Sequence, residues 1–171
     1  MCELVQQIKR AFKYRFYPTD EQAAELIRTF GCVRLVYNRM LDERTKAWYT
    51  EGRRVNYIQS SALLTKWKRT DDLAFLNEVA AIPLQQTLRH LQSAFDKFWR
   101  KQTRYPSFKS RHRSRQSAEY TRSGFTFRNG QCKLAKMTEP LDVRWSRPLP
   151  QDISPTTVTV SRDPSGRWHI S

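Results

Sequence analysis

The sequence predicts an α+β fold in which a helical segment is inserted into a small β-barrel. Residues 10–17 alternate as a strand does, the next eighty or so residues have the spacing of helices, and the period returns to two after Gly124. Runs of helices followed by runs of strands favour α+β over alternating βαβ units. We expect three parts, namely 1–18 as the first barrel strand, 19–103 as the helical insertion, and 104–171 as the rest of the barrel with a basic loop.

The first strand has two contrasting faces. Phe12, Tyr14 and Phe16 point one way, whereas Lys13 and Arg15 point the other. Because side chains alternate across a strand, this pattern predicts a buried aromatic face and an outer basic face. Lys13 and Arg15 are therefore candidate contacts for a polyanion, and we expect this strand to pair with the C-terminal strands.

The first helix is predicted from a capping box at Thr19–Gln22 to about Thr50, with Gly52 as its stop signal. Gly31 lies inside it and costs roughly 1 kcal/mol relative to Ala, so we expect a close approach or a bend there. Arg34 and Asn38 lie on its polar side and are candidate ligands for nucleic acid. The buried face is predicted from helical spacing to hold Leu26, Ile27, Phe30, Val33, Tyr37, Met40, Leu41 and Trp48.

Two further helices complete the insertion. The second is expected from Tyr57 to Arg69, and Asp71-Asp72 then indicates a short capped turn. Pro83 suits the start of the third helix, since its missing N–H would be unpaired there in any case. Their apolar residues are predicted to be core, namely Ile58, Leu63, Leu64 and Trp67, then Leu84, Leu88, Leu91, Phe95 and Phe98.

A strongly basic segment runs from Arg100 to Lys133, and its ten basic residues face a single acid, Glu119. Aromatic residues are threaded through it. A charge run alone is usually a solvated face, but this composition is typical of a groove that follows a nucleic-acid backbone and stacks on bases. The candidate contacts are Arg104, Tyr105, Phe108, Lys109, Arg111, Arg113, Arg115, Arg122 and Arg128.

The remainder reads as hairpins. Asn129-Gly130 is a strong turn signal between short alternating runs, and a second hairpin turns at 163–166. Val143 and Trp145 suggest a further strand. Because the chain stops soon after the strand at 167–170, we expect that strand to leave an exposed sheet edge or to be completed by a following segment.

The net charge of +15, from 31 Lys+Arg against 16 Asp+Glu, calls for a polyanionic partner. Nucleic acid is the commonest such partner. A membrane surface would need a basic amphipathic helix with an unburied apolar face, and the sequence has no apolar run long enough to span a bilayer. We expect a cytoplasmic, nucleoid-associated protein.

The sequence offers no catalytic constellation. Asp71 and Asp72 would diverge by about 100° on a helix, so they do not form a two-metal carboxylate site. His90, His112 and His169 lack ligand spacing, and Cys2, Cys32 and Cys132 form no C-x-x-C pair. We therefore expect no catalytic residues and no metal site.

Several motifs in order resemble one family. They are the strand 12–18, the run G-x-x-R-x-V-Y-N-x-x-L at 31–41, the helix through Gln85 and Phe98, the segment 105–110 and the strand 157–162. This arrangement resembles the N-terminal half of the TnpB (OrfB) proteins. Those proteins are transposon-encoded, RNA-guided nucleases related to the type V CRISPR effectors.

The resemblance implies that the β part is an oligonucleotide-binding-like wedge barrel and that the helices are a recognition lobe. Together they would hold guide RNA and target DNA and read a short motif beside the target, which points to Tyr57, Gln59, Ser61 and Gln85. Ala81 stands where a basic residue is expected. The RuvC-like nuclease domain and a zinc finger would follow Ser171, so cleavage, Mg²⁺ and Zn²⁺ are expected only in that missing part.

Other interpretations remain open at this stage. The chain could be an intact nuclease or transposase, or a stand-alone DNA-binding regulator that places the Gly31–Leu41 helix in a major groove. It could also be a structural protein with an incidental basic surface. A homodimer is possible under any of these interpretations.

Overall fold

The computed structural model describes residues 8–171. Short 3-10 helices lie at Ala74–Asn77 and Arg122–Gly124. The longer elements, in chain order, are β1 (Tyr14–Phe16), α1 (Asp20–Glu51), α2 (Tyr57–Trp67), α3 (Ala81–Trp99), β2 (Gln116–Thr121), β3 (Phe125–Arg128), β4 (Gln131–Leu134), β5 (Val143–Arg144), β6 (Thr157–Arg162) and β7 (Trp168–Ile170).

Five strands form one antiparallel sheet in the order β2-β6-β7-β1-β5, and β3 pairs with β4 separately. The first strand therefore pairs with C-terminal strands, as predicted, and the three helices are inserted between β1 and β2. This confirms the α+β class. Within residues 8–171 the ladder ends at β2 and at β5, and no strand pairing joins these two edges.

Two predictions about the strands were wrong. The basic segment contains β2, which was expected to be loop. Its inward positions give a weak strand signal, because they hold the polar Gln116 and the small Ala118 besides Tyr120. In addition, β7 is not an exposed edge, since it pairs with β6 on one side and β1 on the other. The first strand is also shorter than predicted, covering Tyr14–Phe16.

The ends of α1 follow the sequence signals. Thr19 Oγ1 accepts from the Gln22 N–H at 3.2 Å, and Gln22 Oε1 accepts from the Thr19 N–H at 3.1 Å. Gly52 ends the helix with φ at +62°, where glycine is favoured. Gly31 makes no close approach, because a Cβ built there would meet nothing within 4 Å.

The core lies between α1, α2, α3 and the sheet. The buried residues of α1 include Leu26, Phe30, Val33, Tyr37, Met40 and Leu41. The other two helices contribute Leu64 and Trp67 from α2 and Leu84, Leu88, Leu91 and Phe95 from α3. Ile27, Trp48 and Ile58 were predicted to be buried but are exposed. Adjacent residues on a helix point about 100° apart, so Leu26 occupies the inward position and Ile27 does not.

Candidate nucleic-acid interface

The basic loop, which joins α3 to β2, is hydrogen-bonded to the middle of α1 by the side-chain amide of Asn38. Asn38 Nδ2 donates to the Lys109 carbonyl at 2.8 Å, and the Lys109 N–H donates to Asn38 Oδ1 at 2.8 Å. An amide that both donates to and accepts from one residue imitates a strand partner. Asn38 therefore positions the loop, and both polar ends of its side chain are already occupied.

Lys109 lies over the ring of Tyr37, with its Nζ 4.2 Å from the ring centre. Partial burial lowers the pKa of Lys109 below its ordinary value. Among the described residues, no carboxylate pairs with it. A partly desolvated ammonium on an aromatic face is a strong electrostatic partner for an incoming anion.

Tyr105 lies at the start of the basic loop, and its ring is not free to stack on a base. Its ring packs edge-on against Phe95 and Phe98, at centroid distances of 5.5 and 5.1 Å. Its hydroxyl lies 2.7 Å from Thr45 Oγ1. Phe108, by contrast, is 61% exposed and is therefore available for contact with a base.

A serine-capped turn carries the tip of the loop. Ser114 Oγ accepts from the Ser110 N–H, and Ser110 Oγ accepts from the Arg113 N–H, each at 3.0 Å. These two bonds fix the backbone of 110–114. Arg111 and Arg113 are exposed on this turn, and so is Arg104 nearer the root.

A shallow cleft opens where α1, the basic loop and β2 meet. Three predicted residues line it, Arg34, Lys109 and Arg115. Serine hydroxyls from Ser110, Ser114 and Ser117 share the lining, and Arg115 Nη2 donates to Ser161 Oγ at 3.2 Å. Cationic side chains beside hydroxyl donors are the groups that bind phosphate oxygens in proteins.

The polar face of the sheet extends this surface. Strand register places Ser117, Ser161, His169, Arg15 and Arg144 in one row across all five strands. Burial lowers the pKa of His169, and the positive charges of Lys13, Arg15 and Arg115 lower it further, against an opposing effect of Asp163. These cations therefore act on His169. Arg115 connects the cleft to the row, because it lines the cleft and donates to Ser161.

A second group of predicted residues meets between α2 and α3. Tyr57 Oη and Ser61 Oγ both donate to Gln85 Oε1, at 3.1 and 3.2 Å. Neither bond uses the amide nitrogen of Gln85. Gln59 is not in this group, because its side chain accepts from the Asn56 N–H in the capping box of α2.

The remaining candidates are dispersed. Arg122 opens a 3-10 helix and Arg128 ends β3, and both are exposed. Glu119 is tied to α3, accepting from Gln86 Nε2 at 2.8 Å and lying 2.9 Å from His90 Nε2. The acid within the basic segment is therefore engaged by α3.

Sequence reasoning missed three residues at these surfaces. His169 and Arg144 enter the row only through strand register, which a sequence does not reveal. Arg89, whose guanidinium lies 4.2 Å from the Tyr57 ring centre, could have been found, because it follows Gln85 by one helical turn.

Two kinds of feature are missing from residues 8–171, a cluster of metal ligands and a membrane-spanning helix. Across residues 8–171, no three His, Cys, Asp or Glu side chains converge as metal ligands would. None of the described helices combines the length and apolarity needed to cross a bilayer. Burial raises the pKa of Cys132 to about 11, so this thiol is protonated at neutral pH and is a poor nucleophile.

Comparison with known proteins points in one direction. The helix-turn-helix domain family HTH_OrfB_IS605 matches residues 6–53. In the described part of that range the structure has β1 and one continuous helix, α1. The family's name therefore describes a region that folds here without an internal turn.

Among curated proteins, the chain is 70% identical over 168 residues to a "Putative RNA-guided DNA endonuclease" of Streptomyces pristinaespiralis, covering 98% of this chain and 42% of that protein. InsQ of Escherichia coli K12 carries the same description and is 31% identical over 102 residues, 60% of this chain and 25% of that protein. The virulence protein VsdF of Salmonella dublin is 33% identical over 112 residues, 60% of this chain and 94% of that protein.

The chain thus spans less than half the length of the two endonuclease relatives. The high identity along nearly all of it, together with the OrfB domain match, agrees with the motifs at 12–18 and 31–41. The chain belongs to the TnpB (OrfB) family.

Proposed function

We propose that this chain is the nucleic-acid-binding part of an RNA-guided DNA endonuclease and holds structured guide RNA and target DNA. One observation carries the proposal. Arg34 of α1, Lys109 of the loop and Arg115 line a single cleft, and Arg115 continues it onto a sheet face with Lys13 and Arg15. Five predicted cations from three parts of the sequence, namely the first strand region, α1 and the basic segment, thus lie along the helix–sheet junction.

The surface acts through its charge. Each Lys or Arg that contacts a phosphate releases condensed counterions into solution, so the affinity rises with the number of contacts. The serine hydroxyls add directional hydrogen bonds, and the exposed Phe108 adds a ring for stacking. The fastening of Lys109 to Asn38 lowers the entropic cost of ordering the loop when the ligand binds.

The cluster of Tyr57, Ser61 and Gln85 is proposed to read bases of target DNA. Two hydroxyls hold the Gln85 oxygen, which leaves its amide nitrogen to donate to a base acceptor. Glutamine amides pair well with base edges in a groove. Arg89, stacked on Tyr57, would add a second donor beside this amide.

The finer structural and enzymatic interpretation belongs to the same proposal. We take the sheet and the β3–β4 hairpin to be the oligonucleotide-binding-like wedge barrel, with 19–103 as its recognition insertion. DNA cleavage and its Mg²⁺ and Zn²⁺ would belong to the further part of longer relatives, so this chain binds without cutting.

The regulator hypothesis receives no such support. A recognition helix needs an open face to enter a groove. Six residues of the Gly31–Leu41 run are buried in the core, and the basic loop is bonded to Asn38. The segment is part of the scaffold of the cleft.

Salt dependence of binding tests the proposal. Affinity for a structured RNA, measured by fluorescence anisotropy, should fall at least a hundred-fold or so between about 50 and 200 mM salt, because several phosphate contacts are lost together. Arg115→Gln should reduce both the affinity and the slope. Arg28→Gln is the matched control, since Arg28 is exposed on α1 and paired with Glu25. A salt-independent affinity, or equal effects of the two variants, would contradict the proposal.

A further inference from the structure

An aromatic cluster lies at the C-terminal ends of α1 and α3, away from the cleft. The rings of Trp48 and Trp99 meet edge-on with centroids 5.4 Å apart. Arg54 covers them, its guanidinium 4.0 Å from the Trp99 ring centre and 5.5 Å from that of Trp48. Each indole is 37% exposed, and the neighbouring Tyr49 is 77% exposed.

The surroundings of this cluster are basic. Arg53, Arg54, Arg100 and Lys101 are all exposed there. The nearby acid Glu51 is already bonded to Arg53 Nε at 2.9 Å. Among the described residues, Arg54 has no carboxylate partner, so its charge is directed to solvent and to the indoles.

Exposed patches of large aromatic side chains usually mark a site that binds a ligand or a partner molecule. A hydrophobic protein segment would bury these rings but would also have to desolvate several unpaired cations. An unpaired nucleotide satisfies both features, because its base offers a flat ring and its phosphate offers the opposite charge. Duplex nucleic acid fits less well, since its bases are already stacked.

We propose that Trp48, Tyr49, Arg54 and Trp99, here called the indole–arginine patch, bind unpaired nucleotides of a single-stranded nucleic acid. The inference rests on the proposed function. It adds the form of the ligand, which is unpaired nucleotides, and the part of the surface that binds them. The Tyr49 ring would stack on a base. The Arg54 guanidinium, which lies over the Trp99 ring, would donate its N–H groups to a phosphate.

The patch is separate from the cleft. Trp48 follows Arg34 by fourteen positions on α1, which at 1.5 Å per residue is about 21 Å along the helix. One strand several nucleotides long could therefore contact both sites. The two sites are distinguished by their variants: Arg115→Gln removes a cation of the cleft, and Tyr49→Ala removes an aromatic ring of the patch.

The experiment compares two oligonucleotides of equal length, an unstructured single-stranded RNA and its abasic counterpart, by anisotropy with the full chain. The natural strand should bind at least about five-fold more tightly, since stacking on one aromatic side chain contributes 1–3 kcal/mol per base. Tyr49→Ala should remove most of that preference. Arg54→Gln should weaken binding of the natural strand by about five-fold or more.

Arg53→Gln is the matched control. It removes the same positive charge at the neighbouring residue, and the Arg53 side chain is already paired with Glu51. It should change affinity by no more than about two-fold. Tyr49 is mostly exposed, so its variant tests the patch even if Arg54→Gln perturbs the helix ends.

Equal affinity for natural and abasic strands would overturn the inference, as would equal effects of Arg53→Gln and Arg54→Gln. If the wild-type chain binds structured RNA and Arg115→Gln weakens that binding, while the abasic strand binds as well as the natural one, the patch proposal fails alone. If the wild-type chain binds no nucleic acid, both proposals fail.

Discussion

Asn38 and Lys109 are joined by two hydrogen bonds of 2.8 Å, side chain to backbone, across seventy-one residues of sequence. The pair makes the position of the basic loop depend on one residue of α1. Since Lys109 also lines the cleft, the geometry of the cleft depends on this pair.

Asn38→Ala should therefore loosen the loop without unfolding the core. The expected loss is about 1–3 kcal/mol of unfolding free energy, because a partly buried backbone donor and acceptor lose their partners. Limited proteolysis should cut faster within 106–114, and affinity for structured RNA should fall. Asn38→Asp, which can still accept from the Lys109 N–H, should show a smaller effect. Unchanged proteolysis would mean that Tyr105 and the serine turn hold the loop unaided.

Gly31→Ala should stabilise the protein by about 0.5–1 kcal/mol, because alanine is the better helix former and the new methyl group meets nothing. Thermal unfolding followed by circular dichroism measures this. Gly52→Ala is the opposite control, since alanine is strained at a φ of +62° and should destabilise by about 1 kcal/mol. A destabilised Gly31→Ala protein would indicate that the helix needs a bend there.

The titration of His169 should report on the cleft. In the free protein its pKa lies below the ordinary 6.5, through burial and the charges of Lys13, Arg15 and Arg115, with Asp163 opposing. The unfolded chain then binds more protons than the folded chain as pH falls below about 6.5, so this histidine lowers stability in that window and has no effect well above it.

A phosphate in the cleft should reverse the shift, because an anion favours the imidazolium. We expect the His169 ring resonances, followed by NMR, to titrate at higher pH when RNA is bound, and RNA affinity to rise as pH falls from 7 to 5.5. His169→Gln should remove that part of the pH dependence. An RNA-bound pKa equal to the free value would place the ligand away from the sheet row.

Gln85→Ala should separate the two functions of the insertion. It removes the acceptor shared by Tyr57 and Ser61 and the free amide nitrogen. We expect structured-RNA affinity to stay within about two-fold, while discrimination among duplex DNAs falls by roughly 1 kcal/mol, because one hydrogen bond from the amide nitrogen is lost. Competition against a pool of randomised duplexes measures this. Ser93→Ala, on an exposed position of α3, is the control and should leave both activities unchanged.

The sequence predicted elements whose signals are local. The Thr19–Gln22 capping box, the Gly52 stop and the Asn129-Gly130 turn each specify their own backbone, and all appear as predicted. Hydrophobic spacing likewise identified Leu84, Leu88 and Leu91 as core. Strand β2 was missed because its inward positions give a weak signal: one is the polar Gln116, one the small Ala118, and only Tyr120 is large and apolar. The burial of Ala118 and Tyr120 comes from packing against the helices.

The candidate site was harder to predict than the fold. Composition correctly marked 100–133 as unusual, but it could not separate Tyr105, which packs inside, from Phe108, which is exposed. Nor could it show that Asn38 fastens a loop. These distinctions depend on which side chains meet across long sequence distances, and the joining of Arg15, His169 and Arg144 depends on strand register.

The pairing of β1 with β7 also sets an order of assembly during synthesis. The backbone of Tyr14 cannot pair with Ile170 of β7 until the C-terminal residues have been synthesised. By contrast, α1, α2 and α3 can pack together as soon as they leave the ribosome. Helical contacts that are close in sequence form quickly, and distant strand pairing is slow. A nascent chain interrupted before β7 would lack the strand that joins β6 to β1, so the two halves of the sheet, and the cationic row across them, would stay unconnected.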